Sequence, residues 1–280
     1  EQVRQLLDMP GVLGLGEMMN FPGTVGGAEE VMHKLLAAEG KVIDGHAPGL
    51  AGKELCAYIA AGPRSDHECT RLEEALEKAR LGMMIMIREG SAAQNLEGLA
   101  ELLKSEYSWR CCLVTDDCNA HHLYAHGHID YVLRRALQLG VAPHVAVRSV
   151  TLVPASYLGL RDRGMIAPGM VADVVLVDDV ERFGVRWEVK EGRVVARDGA
   201  LIEAIGAPAA RFTNTCRLPE LKVEAFRLPA PVHEGTVRCR VIGVSAGQIL
   251  TEALERDVPM RDGELLPELA EGELCRAAVI

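Results

Sequence analysis

The chain has 280 residues, of which 49% are hydrophobic and 25% are charged, and its formal net charge is -10. These values are typical of a soluble globular protein with about two domains, and the acidic balance argues against nucleic acid and anionic membranes as partners. No apolar run approaches the roughly 18 residues of a transmembrane helix, and residues 1–8 lack the apolar segment of a signal peptide. The eight cysteines form no C-x-x-C pair, which favours free thiols and a cytoplasmic location.

Short apolar runs alternate with amphipathic stretches along the first half of the chain. The runs at residues 12–16, 41–43, 64–66, 83–87 and 111–115 predict strands, and the stretches at residues 27–39, 52–61, 70–81, 92–104 and 129–139 predict helices. Strands that alternate with helices of about 10–15 residues indicate βαβ units and a parallel sheet.

Ionisable residues follow all five predicted strands. They are Glu17, then Asp44 with His46, Asp66 with His67, Arg88 with Glu89, and Asp116 with Asp117. In a (β/α)8 barrel the carboxyl ends of the strands meet on one face, where the active site lies, whereas an open doubly wound sheet concentrates its chemistry at one switch point. The pattern therefore predicts an α/β fold that contains about five of the eight strands of a TIM-like barrel, with the other three expected before Glu1.

The candidate metal ligands come from these strand ends. His46 and His67 follow neighbouring strands, and imidazole is a common ligand of transition metals; the alternatives are a hydrogen-bonded loop histidine and a charged helix start. Glu17 lies among glycines and apolar residues, where an unpaired charge is costly, so it is a candidate bridging carboxylate. Asp116 or Asp117 would bind metal and carry a proton. The alternative is an aspartate that caps the next turn, which would account for only one of the two residues.

A second group of candidates follows the fourth strand. We expect Arg88 to orient Glu89 by pairing with it, and Ser91 to hydrogen-bond a ring nitrogen of a substrate; the alternative is that Ser91 caps the following helix. Further histidines are predicted to lie on a loop and to face solvent rather than bind zinc. They are His121, His122, His126 and His128.

The rest of the chain predicts smaller elements. A helix at residues 142–158 leaves the barrel, and residues 173–178 and 187–195 read as strands with a turn signal at residues 191–193. A proline-rich linker begins near residue 211, a strand follows at residues 236–244, and residues 247–254 suit a short helix or a strand. The predicted domains are a partial barrel (1–158), part of a small β-sandwich (159–210) and the start of a C-terminal α+β domain (211–280).

Several motifs together resemble the adenine deaminase family of the amidohydrolase superfamily. They are G-L-G-E-M-M-N-F-P-G at residues 14–23, I-D-G-H-A-P-G-L-A-G-K at 43–53, A-Y-I-A-A-G-P-R-S-D-H-E at 57–68, M-I-R-E-G-S-A-A at 86–93 and T-D-D at 115–117. The resemblance continues through L-G-L-R-D-R-G-M-I-A-P-G-M-V-A-D at 158–173 and R-V-I-G-V-S-A-G-Q-I at 240–249, so it covers nearly the whole chain.

The resemblance implies hydrolysis of adenine to hypoxanthine and ammonia by a metal-activated hydroxide, with two divalent metals that are manganese or iron, or alternatively zinc. The metal ligands that match the family pattern are Glu17, His46, His67 and Asp116. The expected catalytic residues are Asp116 and Glu89, and the expected substrate-binding residues are Ser91, Asp117 and Arg88. A cytoplasmic homodimer that acts on a small molecule is expected.

The chain departs from the family pattern at three places. The H-x-H pair of the first barrel strand is absent, C-N-A at residues 118–120 replaces the usual R-x-P, and V-P-A at residues 153–155 replaces N-P-A. Because two ligands are missing, we expect the chain to be inactive by itself. Two other hypotheses stay open: an amidohydrolase for another purine or cyclic amide, and a non-catalytic remnant that binds a purine.

Overall fold

The computed structural model of the chain describes residues 1–204, 206, 215, 217–270 and 274–279. The chain divides into two compact units, Glu1–Ala204 and Ile205–Ile280. The helices of the first unit are α1 (Gln2–Leu7), α2 (Phe21–Val25), α3 (Glu29–Ala37), α4 (Gly52–Ala60), α5 (Leu72–Arg80), α6 (Leu96–Leu103), α7 (Ala120–His126), α8 (Ile129–Gln138), α9 (Pro143–Val150) and α10 (Leu152–Tyr157). Its strands are β1 (Gly14–Met18), β2 (Val42–Gly45), β3 (Ser65–Asp66), β4 (Met84–Arg88), β5 (Cys111–Val114), β6 (Val174–Val177), β7 (Val185–Lys190), β8 (Arg193–Arg197) and β9 (Ala200–Leu201).

Five parallel strands form the frame of the first unit. Strand β1 pairs with β2, and β3, β4 and β5 pair in that order. A 2.9 Å hydrogen bond from the Arg64 amide to the Ile43 carbonyl connects the chain segments of β2 and β3. Parallel neighbours need crossover connections, which α3, α4, α5 and α6 provide between successive strands. The predicted α/β alternation is confirmed.

The main core lies between these strands and their helices. In α6, Leu96, Leu99 and Leu103 recur at helical spacing and are at most 1% exposed. They belong to the same buried cluster as Ile85 and Ile87, which alternate along β4. Full burial of each such side chain contributes about 1.5–3 kcal/mol, so this packing holds the strand ends in place.

Two glycines let the ends of neighbouring strands approach closely. A Cβ atom on Gly45 would lie 2.1 Å from the Ser65 carbonyl oxygen, and one on Gly90 would lie 2.0 Å from the Thr115 carbonyl oxygen. No side chain fits at such distances, so only glycine allows this approach. The segments that they bring together carry the candidate site residues.

Two predicted elements are each divided in the structure. The helix predicted at residues 142–158 is broken at Thr151 into α9 and α10, because Pro154 cannot donate to the carbonyl four residues before it. The strand predicted at residues 187–195 is the antiparallel pair β7 and β8. Glu191 and Gly192 both have positive φ, 51° and 78°, between them, as a tight hairpin turn requires.

Three of the four histidines predicted on a loop, His121, His122 and His126, lie on α7 instead, whereas His128 lies between α7 and α8. The Asn119 side chain caps α7 by accepting a 2.8 Å hydrogen bond from the His122 amide, and Gly127, with φ 97°, ends the helix. An asparagine cap followed eight residues later by glycine is an ordinary helix signal. The loop prediction did not take this signal into account and was wrong for His121, His122 and His126.

The second unit contains a long hairpin. Strand β10 (Gly235–Val244) pairs antiparallel with β11 (Thr251–Arg261), which also pairs with β12 (Glu264–Leu265). Of the two predictions for residues 247–254, the strand is therefore the right one for residues 251–254. The predicted domain boundary at residues 210 and 211 lies outside the described residues. Within the described parts of the chain, no helix combines the length and hydropathy needed to cross a membrane.

Candidate functional site

Two imidazole rings meet where β2 and β3 end. His46 follows β2 directly and His67 follows β3. The distance from His46 Nδ1 to His67 Nε2 is 3.2 Å, and the ring planes are inclined at 70°. Two nitrogen ligands of one tetrahedral metal ion, with bonds of about 2.0–2.1 Å, would lie roughly 3.3 Å apart. The two rings are therefore spaced as a pair of ligands.

Carboxylate oxygens surround this pair of rings. The two oxygens of Glu17 lie 3.7 Å from His46 Nδ1 and His67 Nε2, one from each. Glu68 Oε1 lies 3.7 Å from the first nitrogen and 3.6 Å from the second. The candidate site residues chosen from the sequence do not include Glu68. Its position directly after His67, at the same strand end, was the signal that could have placed it among them.

A bulge in β1 aims Glu17 at the histidines. The register of β1 against β2 shifts between Leu15 and Met18, and Glu17 has a positive φ of 30°. A non-glycine residue in such a conformation costs on the order of 1–3 kcal/mol. Bulges change the direction of a side chain, so the strained backbone of Glu17 accompanies the placement of its carboxylate beside the two histidines.

Arg88 joins two of the carboxylates. Its guanidinium pairs with Glu68 through both terminal nitrogens and lies 3.0 Å from Asp116 Oδ2. The Arg88 side chain is only 2% exposed. The expectation that Arg88 orients Glu89 is wrong, because successive residues of a strand point to opposite faces. Arg88 instead holds Glu68 and Asp116 on the metal-ligand side.

Glu89 lies on the opposite face of β4. Its carboxylate accepts a hydrogen bond from the Leu96 amide at the start of α6 and lies 3.7 Å from Arg135 Nε. Burial raises the pKa of Glu89, although the Leu96 amide and Arg135 act in the opposite direction. The predicted catalytic role of Glu89 is untested and stays a prediction.

Ser91 and Asp117 lie in adjoining loops after β4 and β5. The Ser91 hydroxyl accepts a 2.8 Å hydrogen bond from the Asn119 amide, and the Ser91 amide donates to the Asp117 carbonyl. Ser91 therefore does not cap the following helix, whose N-cap residue is Asn95. The Asp117 side chain is exposed, and its amide donates to Asp116 Oδ1 at 2.8 Å.

A buried ion cluster supports the two histidine segments. Lys78 of α5 is 0% exposed, and its ammonium contacts the Ala47 carbonyl, Asp66 Oδ2 and Glu74 Oε1 at 2.7, 3.0 and 2.7 Å. Asp66 in turn accepts hydrogen bonds from the amides of Ala47 and Glu68. Ala47 follows His46, and Asp66 and Glu68 flank His67, so the cluster fixes the backbone beside both histidines. Because the ammonium lies between the two carboxylates, this acidic group does not suit a second cation.

Tyr58 fixes the ends of β1 and β2 relative to each other. Its hydroxyl donates a 2.7 Å hydrogen bond to the Met18 carbonyl and accepts one of 3.0 Å from the His46 amide. The side chain is 0% exposed, and burial raises the pKa of Tyr58 to about 12. Sequence reasoning missed this residue, because a tyrosine on an amphipathic helix reads as core.

We expect Tyr58→Phe to destabilise the chain by about 1–3 kcal/mol, since two buried backbone groups lose their partner. Metal affinity should fall about tenfold or more, as it does when the support of a ligand is removed. Urea unfolding and metal titration measure the two effects. Tyr124→Phe is the matched control, because Tyr124 is 94% exposed; equal effects of the two substitutions would contradict the positioning role.

The donor set at the strand ends suits divalent metal ions. Among the described residues, one group of potential ligand atoms within 4.8 Å of one another comprises Glu17, His46 and His67, and another comprises His67, Glu68 and Asp116. Imidazole nitrogens with carboxylate oxygens suit manganese, iron and zinc. The two groups share His67, so they form one continuous cluster.

Comparison with known proteins decides the family. The model of the amidohydrolase family matches residues 2–205. The chain belongs to the amidohydrolase family. This family is metal-dependent, in agreement with the ligand cluster at the strand ends.

Relatives within the amidohydrolase family include adenine deaminases. One from Nitratidesulfovibrio vulgaris (strain DP4) is 48% identical over 259 residues, which are 91% of this chain and 44% of that protein. One from Methylobacterium sp. (strain 4-46) is 44% identical over an alignment of 284 positions, which covers 100% of this chain and 48% of that protein. The chain thus spans about half the length of these curated relatives.

The solved structure of a beta-aspartyl dipeptidase from Fervidobacterium islandicum AW-1, in complex with beta-Asp-Leu dipeptide, has the same fold. The TM-score is 0.55 at 16% identity, over 72% of this chain and 62% of that one. This likeness supports the α/β fold of the amidohydrolase family and nothing more specific.

Proposed function

We propose that the protein containing this chain hydrolyses adenine to hypoxanthine and ammonia. The observation that carries the proposal is the cluster at the strand ends, where His46 Nδ1 and His67 Nε2 are 3.2 Å apart and Glu17 is within 3.7 Å of both. Adenine deaminases up to 48% identical to this chain share most of its length, which supports adenine as the substrate.

We further propose that β1 to β5 are the last five strands of a (β/α)8 barrel. Their parallel order and the ionisable residues at all five carboxyl ends support this arrangement. The proposed domains remain residues 1–158 for the partial barrel, 159–210 for part of a small β-sandwich and 211–280 for the start of a C-terminal domain. A cytoplasmic homodimer also remains a proposal.

The proposed ligands of two divalent metals, manganese or iron with zinc as the alternative, are Glu17, His46, His67 and Asp116. Metals bound there would supply a water molecule ionised near neutral pH. The cluster contains three carboxylates, those of Glu17, Glu68 and Asp116, but only one guanidinium, that of Arg88, which pairs with Glu68 and Asp116. This excess of negative charge favours cations at the cluster.

Asp116 is the proposed proton carrier. Its Oδ2 contacts Arg88 and its Oδ1 accepts from the Asp117 amide, so both oxygens are oriented while the side chain stays 29% exposed. In the proposed reaction the carboxylate takes the proton released by the attacking water and gives it to the leaving amino group. Ammonia then departs, the remaining proton of the water passes to a ring nitrogen, and a carbonyl remains on the purine.

The remaining proposed roles concern the substrate and the opposite face of β4. The proposed substrate-binding residues are Ser91, Asp117 and Arg88, and the proposed second catalytic residue is Glu89. Ser91 and Asp117 adjoin Asp116 in the loops after β4 and β5, which supports their role better than the buried position of Glu89 supports its own.

The test is adenine-dependent ammonia release by the complete gene product that contains this chain, with manganese added. We expect release by the unaltered protein and its loss in His46→Ala, since that substitution removes one of the two paired imidazoles. Circular dichroism and metal analysis establish that both proteins are folded. A folded, metal-loaded protein that releases no ammonia from adenine would overturn the proposal and favour another purine or cyclic amide, or a purine-binding remnant.

A further inference from the structure

Helix α7 and the residue before its cap carry metal-binding side chains that the strand-end cluster does not use. Cys118, His122 and His126 follow one another at intervals of four residues. His122 and His126 lie on one side of α7, about one turn apart, and Cys118 lies just before the N-cap residue Asn119. Two histidines four residues apart on one helical face are a known zinc-binding arrangement. The loop predicted from the sequence would not have aligned them.

The first two side chains already have the spacing of a ligand pair. Cys118 Sγ lies 3.6 Å from His122 Nδ1. Sulfur and nitrogen bound to one tetrahedral zinc, at about 2.3 and 2.0–2.1 Å, would lie roughly 3.6 Å apart. Both side chains are partly buried.

The third side chain lies one turn further along. The ring centroids of His122 and His126 are 4.8 Å apart, and Tyr131 packs against both rings at 5.1 and 5.4 Å. His126 is exposed, which leaves room for its ring to turn toward the other two ligands.

We propose that Cys118, His122 and His126 form a second metal site, for a thiophilic divalent cation such as zinc. Thiolate and imidazole ligands select zinc over magnesium, calcium or manganese. Binding forms a metal–sulfur bond and releases the thiol proton of Cys118 to solvent. The site is separate from the strand-end cluster and does not depend on the proposed deaminase activity.

The test is a Co²⁺ titration of the full chain, with Co²⁺ as a coloured substitute for zinc. A Co²⁺–thiolate bond gives a near-ultraviolet charge-transfer band, and the strand-end cluster includes no cysteine, so the band does not report that cluster. We expect the band in the unaltered chain and its loss in Cys118→Ser. In His122→Asn and His126→Asn the Co²⁺ affinity should fall about tenfold or more, since even an outer-shell substitution costs 10–100-fold.

Three control variants should keep the band. Cys56→Ser removes an exposed thiol on α4, His121→Asn removes an exposed neighbouring imidazole, and His46→Ala alters the strand-end cluster. Circular dichroism verifies the fold of every variant. The proposal is overturned if the unaltered chain gives no band, if the band persists in Cys118→Ser, or if neither histidine variant weakens it; a thiol that only hydrogen-bonds to His122 gives the first of these results.

Discussion

Asp116→Asn should lower the kcat of adenine deamination by about 10²–10⁴-fold, because an amide cannot accept and pass on a proton as a carboxylate does. The asparagine keeps an oxygen near Arg88 and tolerates the positive φ of 55° at this position, so the fold should persist. Ammonia release at saturating adenine measures kcat, and metal analysis of the same samples separates lost proton transfer from lost metal.

Asp262→Asn is the matched control for this substitution. Asp262 also has a positive φ, 53°, but it lies in the exposed turn between β11 and β12. We expect kcat to stay within about twofold of that of the unaltered protein. A kcat for Asp116→Asn that is equally close, with metal content unchanged, would remove Asp116 from the proton pathway.

Lys78→Met should destabilise the first unit by about 3–5 kcal/mol, because it leaves the fully buried Asp66 carboxylate without its cation. The same substitution brings two unneutralised carboxylates together, since Lys78 Nζ contacts Glu74 as well. It also frees the Ala47 carbonyl beside His46, so metal affinity at the strand ends should fall in parallel. Urea unfolding of the chain measures the first effect, and metal titration the second.

Lys104→Met provides a comparison at the surface. Lys104 pairs with Glu101 at 2.9 Å, but the two side chains are 34% and 66% exposed. An exposed pair of this kind contributes about 0–1 kcal/mol. If Lys78→Met were no more destabilising than Lys104→Met, the buried cluster would have no supporting role.

The pH dependence of this buried pair has a defined sign. Burial by itself would raise the pKa of Asp66. The charge of Lys78 and the hydrogen bonds that Asp66 accepts lower this pKa below the ordinary value of 3.8. Burial would lower the pKa of Lys78, but Asp66 and its other neighbours raise it above 10.5. The stabilisation is therefore fully present between those ordinary values. This stabilisation is lost as pH falls through the lowered pKa of Asp66 or rises through the raised pKa of Lys78. The loss of stability caused by Lys78→Met should therefore be largest near neutral pH.

The strand ends could be located from sequence, but the partners of their side chains could not. Periodicity placed Glu17, His46, His67 and Asp116 after parallel strands, and the structure brings them together at one edge. Arg88 and Glu89 are adjacent, so they point to opposite faces in any register, and register decides only which of them lies on the side of the histidines. The expected pairing between these two residues therefore failed.

Tertiary contacts also decided which residues support the site. Lys78 and Tyr58 look like ordinary members of amphipathic helices, because their importance lies in contacts with residues that are distant in sequence. Lys78 reaches Ala47 across 31 positions, and Tyr58 reaches Met18 across 40. No local sequence pattern indicates such contacts.

By itself the sequence determined the βαβ alternation, the candidate ligands at the strand ends and the resemblance to a metal-dependent family, because periodicity and residue type are local properties. The tertiary structure decided the bulge that turns Glu17 toward the histidines, the pairing of Arg88 with Glu68 and Asp116, and the approach of Cys118 Sγ to His122. These features depend on strand register and on burial, which are settled only when the whole unit packs.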